Sequence, residues 1–329
     1  MKFCIVGLGA IGGLLAARLA GAGHEVSALA RGATLAVVQR EGLTLVEGAA
    51  GHEQRRQVPI RVSNNPAALG PQDVIIVAVK TTALPDVADS VAALLGPETA
   101  VLSAMNGVPW WFFHGLAPEL AQMNLQSVDP DGRISRAIPA QRVVGCVTHL
   151  SAATPAAGTV RSVAGNRLIV GEPSGAATTP RTLAIVAALR EAGFDVESAV
   201  SIQQEIWFKL WGNMTMNPIS ALTGATSDRI LDDVHVRGFM SRCMVEAAQI
   251  GERIGLPIAQ DPEQRHALTR KLGAFRTSML QDMSAGRPLE LNALVASVIE
   301  IGRQVAVPTP NIDALFGIAR LQAQVRGLY

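Results

Sequence analysis

Charge is scarce in this 329-residue chain, and what there is nearly cancels. Lys and Arg total 28 against 27 Asp and Glu, a formal net charge of +1. Such a balance leaves no electrostatic footprint for nucleic acid, which is excluded as a partner. Long hydrophobic runs are also missing. None approaches the roughly 20 residues of a membrane span, so no membrane partner is expected. Cysteine is rare: Cys4, Cys146 and Cys243 lie far apart, without metal-ligand or redox spacing. Their odd number speaks for reduced thiols, a cytoplasmic setting and no metal. There is no repeat with a period of roughly 20–50 residues. The apolar stretch after Lys2 lacks the small-x-small cleavage site and polar start of a secretory leader. The length suits two ordinary domains. A hydrophobic content of 49% against 17% charged points to a soluble, well-packed protein with an Ala-rich helical part.

Glycine, by contrast, is placed with purpose. The apolar strand Lys2–Val6 runs into Gly7-Leu8-Gly9-Ala10-Ile11-Gly12, then into a helix-like Leu14–Ala20, and a second strand follows over Glu25–Ala30. The Gly-x-Gly-x-x-Gly spacing alone is weak. Between a strand and a helix, closed by a second strand, it becomes a dinucleotide fingerprint. Gly7 makes the tight turn, Gly9 lets the backbone approach a pyrophosphate, and Gly12 lets helix pack on strand. The pyrophosphate rests on the helix N-terminus, where free N–H groups favour an anion. An acid at the end of the second strand would bind the ribose 2′-hydroxyl of NAD. The chain has none there. It offers Ala30-Arg31-Gly32, so NADP (NADPH) is the expected cofactor, with Arg31 on its 2′-phosphate.

Strands and helices alternate through the first two hundred residues. Asp73–Val79 is a β-branched run suited to a central parallel strand, ending at Lys80. Ala100–Ala104 is a further strand, ending at Met105-Asn106-Gly107. Ligands in such sheets bind beyond the carboxyl ends of strands, which marks Lys80 and Asn106. Val143 to Val170 reads as short strands broken by Pro and Gly, an added antiparallel region. After about Ser201 the pattern is helical, with candidates over 202–216, 237–254, 262–284, 289–306 and 311–326. The expected architecture is α/β, a Rossmann-type dinucleotide-binding domain over 1–200. An all-helical domain over 201–329 follows, carrying substrate and catalysis.

Lys209, Asn213 and Asn217 stand four residues apart in Glu205–Pro218 and fall on one helix flank. Ile202, Ile206 and Leu210 project into the same arc, so the polar groups sit within an apolar face. There each costs on the order of 1–3 kcal/mol unless something hydrogen-bonds it. Two readings remain open: a ligand carrying oxygens completes the stripe, or neighbours satisfy the amides while Lys209 snorkels to water.

Taken together these residues resemble the ketopantoate reductases (2-dehydropantoate 2-reductases) over nearly the whole chain. The matching pieces are Gly7–Gly12, Arg31, Lys80, Asn106-Gly107, Lys209-x-x-x-Asn213-x-x-x-Asn217-Pro218, Ser278-Met279-Leu280-Gln281-Asp282, and Glu290. The resemblance implies NADPH-dependent reduction of a 2-oxo acid, 2-dehydropantoate foremost, in pantothenate synthesis. It implies Lys209 as catalytic lysine and Asn213, Asn217 and Ser278 on the substrate. Glu290 and Lys80 would lie on the cofactor, and Asn106 on both cofactor and substrate. A small-molecule partner follows, and a homodimer is allowed. Three departures stand out: Met105, Ser227 where some members use another Asn, and an aromatic stretch Val108–His114 containing Trp110 and Trp111. If those rings line the substrate site, a different and larger 2-oxo acid is the alternative. A regulatory protein that senses NADP without turnover is the other alternative; it would need the glycine loop but not Lys209.

Overall fold

The computed structural model describes residues 1–49, 51–175 and 178–329. These form two compact units, one of Met1–Met105 with Arg133–Ile202, the other of Asn106–Gly132 with Gln203–Tyr329. The first holds β1 (Lys2–Val6), α1 (Ala10–Gly21), β2 (Glu25–Leu29), α2 (Gly32–Glu41), β3 (Leu43–Glu47), β4 (Gln54–Val58) and β5 (Arg61–Ser63). It continues through β6 (Gln72–Val77), α3 (Leu84–Ala92), β7 (Leu95–Ser103), α4 (Arg133–Ala137), β8 (Val143–Ala156), β9 (Thr159–Gly171), α5 (Pro180–Glu191) and β10 (Asp195–Ser198).

All the strands join one sheet in the order β4-β3-β9-β8-β7-β6-β1-β2-β5, with β10 also on β9. From β5 through β8 the neighbours are parallel. Chain order reverses where β1 meets β6, the switch point at which open α/β sheets bind ligands. In β6, Val74, Ile75, Ile76 and Val77 are all buried, which is why that strand reads as an unbroken β-branched run. The region expected as several short strands is instead one long antiparallel pair, β8 with β9. Its glycine and proline fall at register shifts: Gly165 opposes Leu150, and Pro155 lies inside the Ala153/Ala156 shift. Such bulges bend a strand without ending it. The start of β9 thereby pairs with β3 as well, and the curled sheet wraps α1. A Cβ on Gly13 would meet the Val160 side chain at 3.3 Å, so the small residues of α1 are what let it fit.

One buried acid in this unit makes stability depend on pH. Burial pushes the Glu172 carboxyl up, but hydrogen bonds from Arg181, Thr179 and Thr182 outweigh it and hold its pKa below the ordinary 4.5. Arg181 grips both oxygens, Nε at 2.9 Å and an Nη at 2.6 Å. With the folded pKa depressed, this stabilisation is complete above the ordinary value and is lost as pH falls through the lower one. Urea midpoints taken from about pH 6 to about pH 3 should fall more steeply for the native protein than for Glu172→Gln. Parallel curves would show that the carboxylate is not coupled to folding.

The second unit holds α6 (Ile202–Thr223), α7 (Ser227–Asp232), α8 (Val234–Arg253), α9 (Pro262–Arg270), α10 (Ser278–Ser284), a π-helical turn Asn292–Ala296 leading into α11 (Ser297–Gln304), and α12 (Pro310–Val325). Two expected helices differ. The first continues through Pro218 to Thr223; a proline that keeps helical φ forfeits one hydrogen bond, not the helix. The stretch 262–284 is two helices, because the chain turns at Gly273 with φ +67° and Thr277 caps α10 at Leu280 N, 3.2 Å.

The partition also differs from the expected break at 200/201. Segment 106–132 leaves the strand-rich unit for the helical one, and its apolar content explains this. Trp111, Phe112 and Phe113 are buried, and the Phe112 ring lies 6.1 Å from that of Trp207. The Glu300 carboxylate accepts the backbone N–H groups of Gln126 at 2.7 Å and Ser127 at 2.9 Å. Among the described residues no helix is long and apolar enough to cross a membrane.

Candidate functional site

In the first unit the glycine loop leaves β1 at the switch point. Gly7 has φ +99°, and a Cβ there would strike Val79 at 2.7 Å. A Cβ on Gly12 would stand 2.0 Å from the Gly7 carbonyl oxygen, so any side chain would force loop and helix apart. Nothing lies within 4 Å of a Cβ on Gly9. That is the open approach a pyrophosphate needs. Gly9 is also the N-cap of α1; no side chain caps the helix and no acid lies in its first turn, so its free N–H groups meet no competing anion. Leu8 and Ile11 pack against the core and Ala10 begins the helix, which anchors the loop. Arg31 follows β2 as the N-cap of α2, exposed, with no ion pair or side-chain hydrogen bond among the described residues. Half-buried Lys80 follows β6 on the other side of β1. This set fits a dinucleotide.

In the second unit, α6 presents the polar stripe. Ile202, Ile206 and Leu210 are buried beside it. Half-buried Lys209 donates from Nζ to Asn106 Oδ1 at 2.9 Å, a bond spanning 103 residues of sequence. Asn217 is only 6% exposed. Neither its amide nor that of Asn213 has a hydrogen-bond partner within the protein among the described residues. No described neighbour in the protein therefore satisfies either amide. The segment before α11 packs on the residues that follow Asn106. Gly107 has φ +79°, a Cβ there would meet the Ala293 carbonyl at 2.5 Å, and Val108 N donates to that oxygen at 2.9 Å. This stitch joins the residues after Asn106 to the turn that begins at buried Glu290, whose carbonyl accepts from Leu294 N. Ser278 stands exposed at the first turn of α10, and no bond joins it to Lys209 or the asparagines.

The structure thus brings Asn106, Lys209, Asn213 and Asn217 into one unit, although the sequence order had set Asn106 at the end of a strand of the other. Ser227 is fully buried, donating to the carbonyls of Gly273 at 2.7 Å and Phe275 at 3.2 Å, which fixes the turn before α10. Arg265, on α9 beside Gly212 of α6, has no ion pair among the described residues, and no local sequence pattern announces such an arginine.

Comparison with known proteins agrees with both halves of this picture. Residues 3–175 match the family model for ketopantoate reductase PanE/ApbA, and residues 201–323 match that for its C-terminal part. The chain belongs to the ketopantoate reductase family. This is a family of dinucleotide-binding oxidoreductases. Its members include the 2-dehydropantoate 2-reductase of Mesorhizobium japonicum, 43% identical over 330 residues with all of both chains covered. A Ralstonia solanacearum structure assigned to the ketopantoate reductases superposes with a TM-score of 0.94 at 55% identity, covering 100% of this chain and 99% of that one. D-mandelate dehydrogenase, solved with NADH and anilino(oxo)acetate, shares the fold with a TM-score of 0.82 at 18% identity, both chains covered completely.

Proposed function

We propose that this protein reduces 2-dehydropantoate, a 2-oxo acid, to its 2-hydroxy acid with NADPH. The observation that carries the reading is the Lys209–Asn106 pair flanked by the unpartnered amides of Asn213 and Asn217. A cation fixed by a neutral acceptor, beside amides that lack partners, suits a small molecule bearing a ketone oxygen and further oxygens.

The nicotinamide cofactor, when bound, supplies the hydride that converts the carbonyl carbon to an alcohol carbon. The residues of the chain do the rest. Charge accumulates on the ketone oxygen, and a donor already in place there lowers the barrier because it need not reorganise. Lys209 donates a hydrogen bond to that oxygen and then its proton. Asn106 holds the ammonium in register. Asn213 and Asn217 bind the hydroxyl or carboxylate oxygens, with Ser278 assigned to the same end. The Gly7–Gly12 loop and Arg31 hold the phosphates, Lys80 and Asn106 the nicotinamide side, and Glu290 the ribose or the ammonium.

NADPH oxidation measured with a panel of 2-oxo acids tests the proposal. No turnover with any of them would leave the dinucleotide-sensing alternative, which gives the Lys209 stripe no role. The choice of cofactor has its own test. Arg31 is exposed and unpaired, and only NADPH brings a 2′-phosphate to it. Arg31→Ala should weaken NADPH binding by roughly ten- to a hundredfold, the worth of one charge-assisted contact, and hardly alter NADH binding. Equal losses for both would remove the assignment of Arg31.

A further inference from the structure

Gly212 lies in the interior of α6, where glycine costs about 1 kcal/mol relative to alanine. The structure shows what occupies the space. A Cβ there would stand 2.8 Å from Arg265 Nε and 3.1 Å from one of its terminal nitrogens. The guanidinium lies over the Phe208 ring, 4.8 Å from its centroid. Its Nε is buried with no partner, and among the described residues no carboxylate or hydrogen bond reaches the side chain. Three other arginines of this unit are in ion pairs: Arg237 with Glu263, Arg270 with Asp232, Arg287 with Asp282. Burial alone lowers the Arg265 pKa below the ordinary arginine value, with nothing raising it. A helix-interior glycine and a half-buried cation whose Nε is buried without an acceptor are two unfavourable features at one place. A stacking role accounts for the Phe208 contact but not for the missing anion.

The place is informative. At about 100° per residue, Gly212 is about 60° around α6 from Lys209, and it directly precedes Asn213. Arg265 therefore flanks the stripe. The candidate substrate groups in this unit are the amides of Asn106, Asn213 and Asn217, the hydroxyl of Ser278, the carboxylate of Glu290, and Lys209 itself. Lys209 is held by Asn106 and assigned to the ketone oxygen. A 2-oxo acid also brings a carboxylate, and a desolvated carboxylate needs a cation or several donors.

We propose that Arg265 is a substrate-binding residue whose guanidinium pairs with the carboxylate of the 2-oxo acid, in space that Gly212 keeps open; this rests on the reductase reading above. The free protein carries the cation uncompensated, and the substrate completes the pair. Stability is traded for affinity, a pattern common at functional sites.

The test compares a 2-oxo acid with its methyl ester, which keeps the ketone but lacks the charge. In Arg265→Met, KM for the acid should rise by roughly ten- to a hundredfold with a smaller change in kcat, while kcat/KM for the ester hardly moves. Arg265→Lys should recover part of the loss, and Gly212→Ala, which displaces the guanidinium, should reproduce it. The thermal midpoint of Arg265→Met should change little, since the guanidinium makes no ion pair among the described residues and its Nε loses water without gaining a bond. Equal losses for acid and ester, or an unchanged KM for the acid, would overturn the proposal while leaving the reductase reading intact. A native protein that turns over no 2-oxo acid would overturn both.

Discussion

Lys209→Ala should lower kcat by about 10²–10⁴, the usual contribution of a positioned acid, while the fold and NADPH binding persist. The residues proposed to hold the phosphates, Gly7–Gly12 and Arg31, belong to the other compact unit, so the substitution does not touch them. Lys209 is half-buried, and its loss leaves Asn106 Oδ1 without a donor that water can replace. The damage should therefore fall on the chemical step. A fluorescence titration with NADPH, a thermal melt and steady-state rates separate the three quantities. A small external amine should restore part of the rate by supplying the missing donor. Near-normal turnover would make Lys209 a snorkelling helix lysine and send the proton elsewhere. A variant that fails to fold would show the stripe to be structural.

Trp111→Ala should destabilise the protein by about 3–5 kcal/mol, the range for deleting a large buried aromatic. Trp111 is 2% exposed, between buried Phe112 and half-buried Trp110. The sequence left it open whether Trp110 and Trp111 shape the choice of 2-oxo acid; the structure places Trp111 in the core of the helical unit. The rank order of kcat/KM among 2-oxo acids should accordingly survive Trp111→Ala even as the urea midpoint falls. Trp111→Phe should cost much less. It keeps most of the ring volume and removes an indole N–H that is buried without a partner. A reordered substrate preference at unchanged stability would return Trp111 to the substrate site and revive the larger 2-oxo acid as the alternative.

How far the site could be read from sequence follows from the range of the forces involved. The glycine loop was legible because its constraints are local: a positive φ at Gly7, open space at Gly9, and a helix-to-loop contact at Gly12 only five residues away. The stripe on α6 was legible because helical period alone puts Lys209, Asn213 and Asn217 on one flank. The absent acid after β2 was legible because β2 fixes where its own end lies. Asn106 follows a strand of the first unit, and its contacts nevertheless group it with the second. What moves it is the burial of Trp111, Phe112 and Phe113 among residues roughly a hundred positions later, which no local pattern encodes.

By itself, then, the sequence determined the α/β-then-helical order, the glycine loop, the arginine in place of an acid after β2 and the polar face of α6. Each depends on φ preference or on a period of a few residues. Only the tertiary structure decided that β8 and β9 run as long bulged strands, that 106–132 joins the helices, and that Lys209 is held by Asn106. It also decided that, among the described residues, Asn213 and Asn217 are left without protein partners and half-buried Arg265 without an anion. These are facts about which groups meet across long stretches of chain and which polar groups find no partner within the protein. Packing sets both, and a buried group's partner is known only once the whole fold has closed around it.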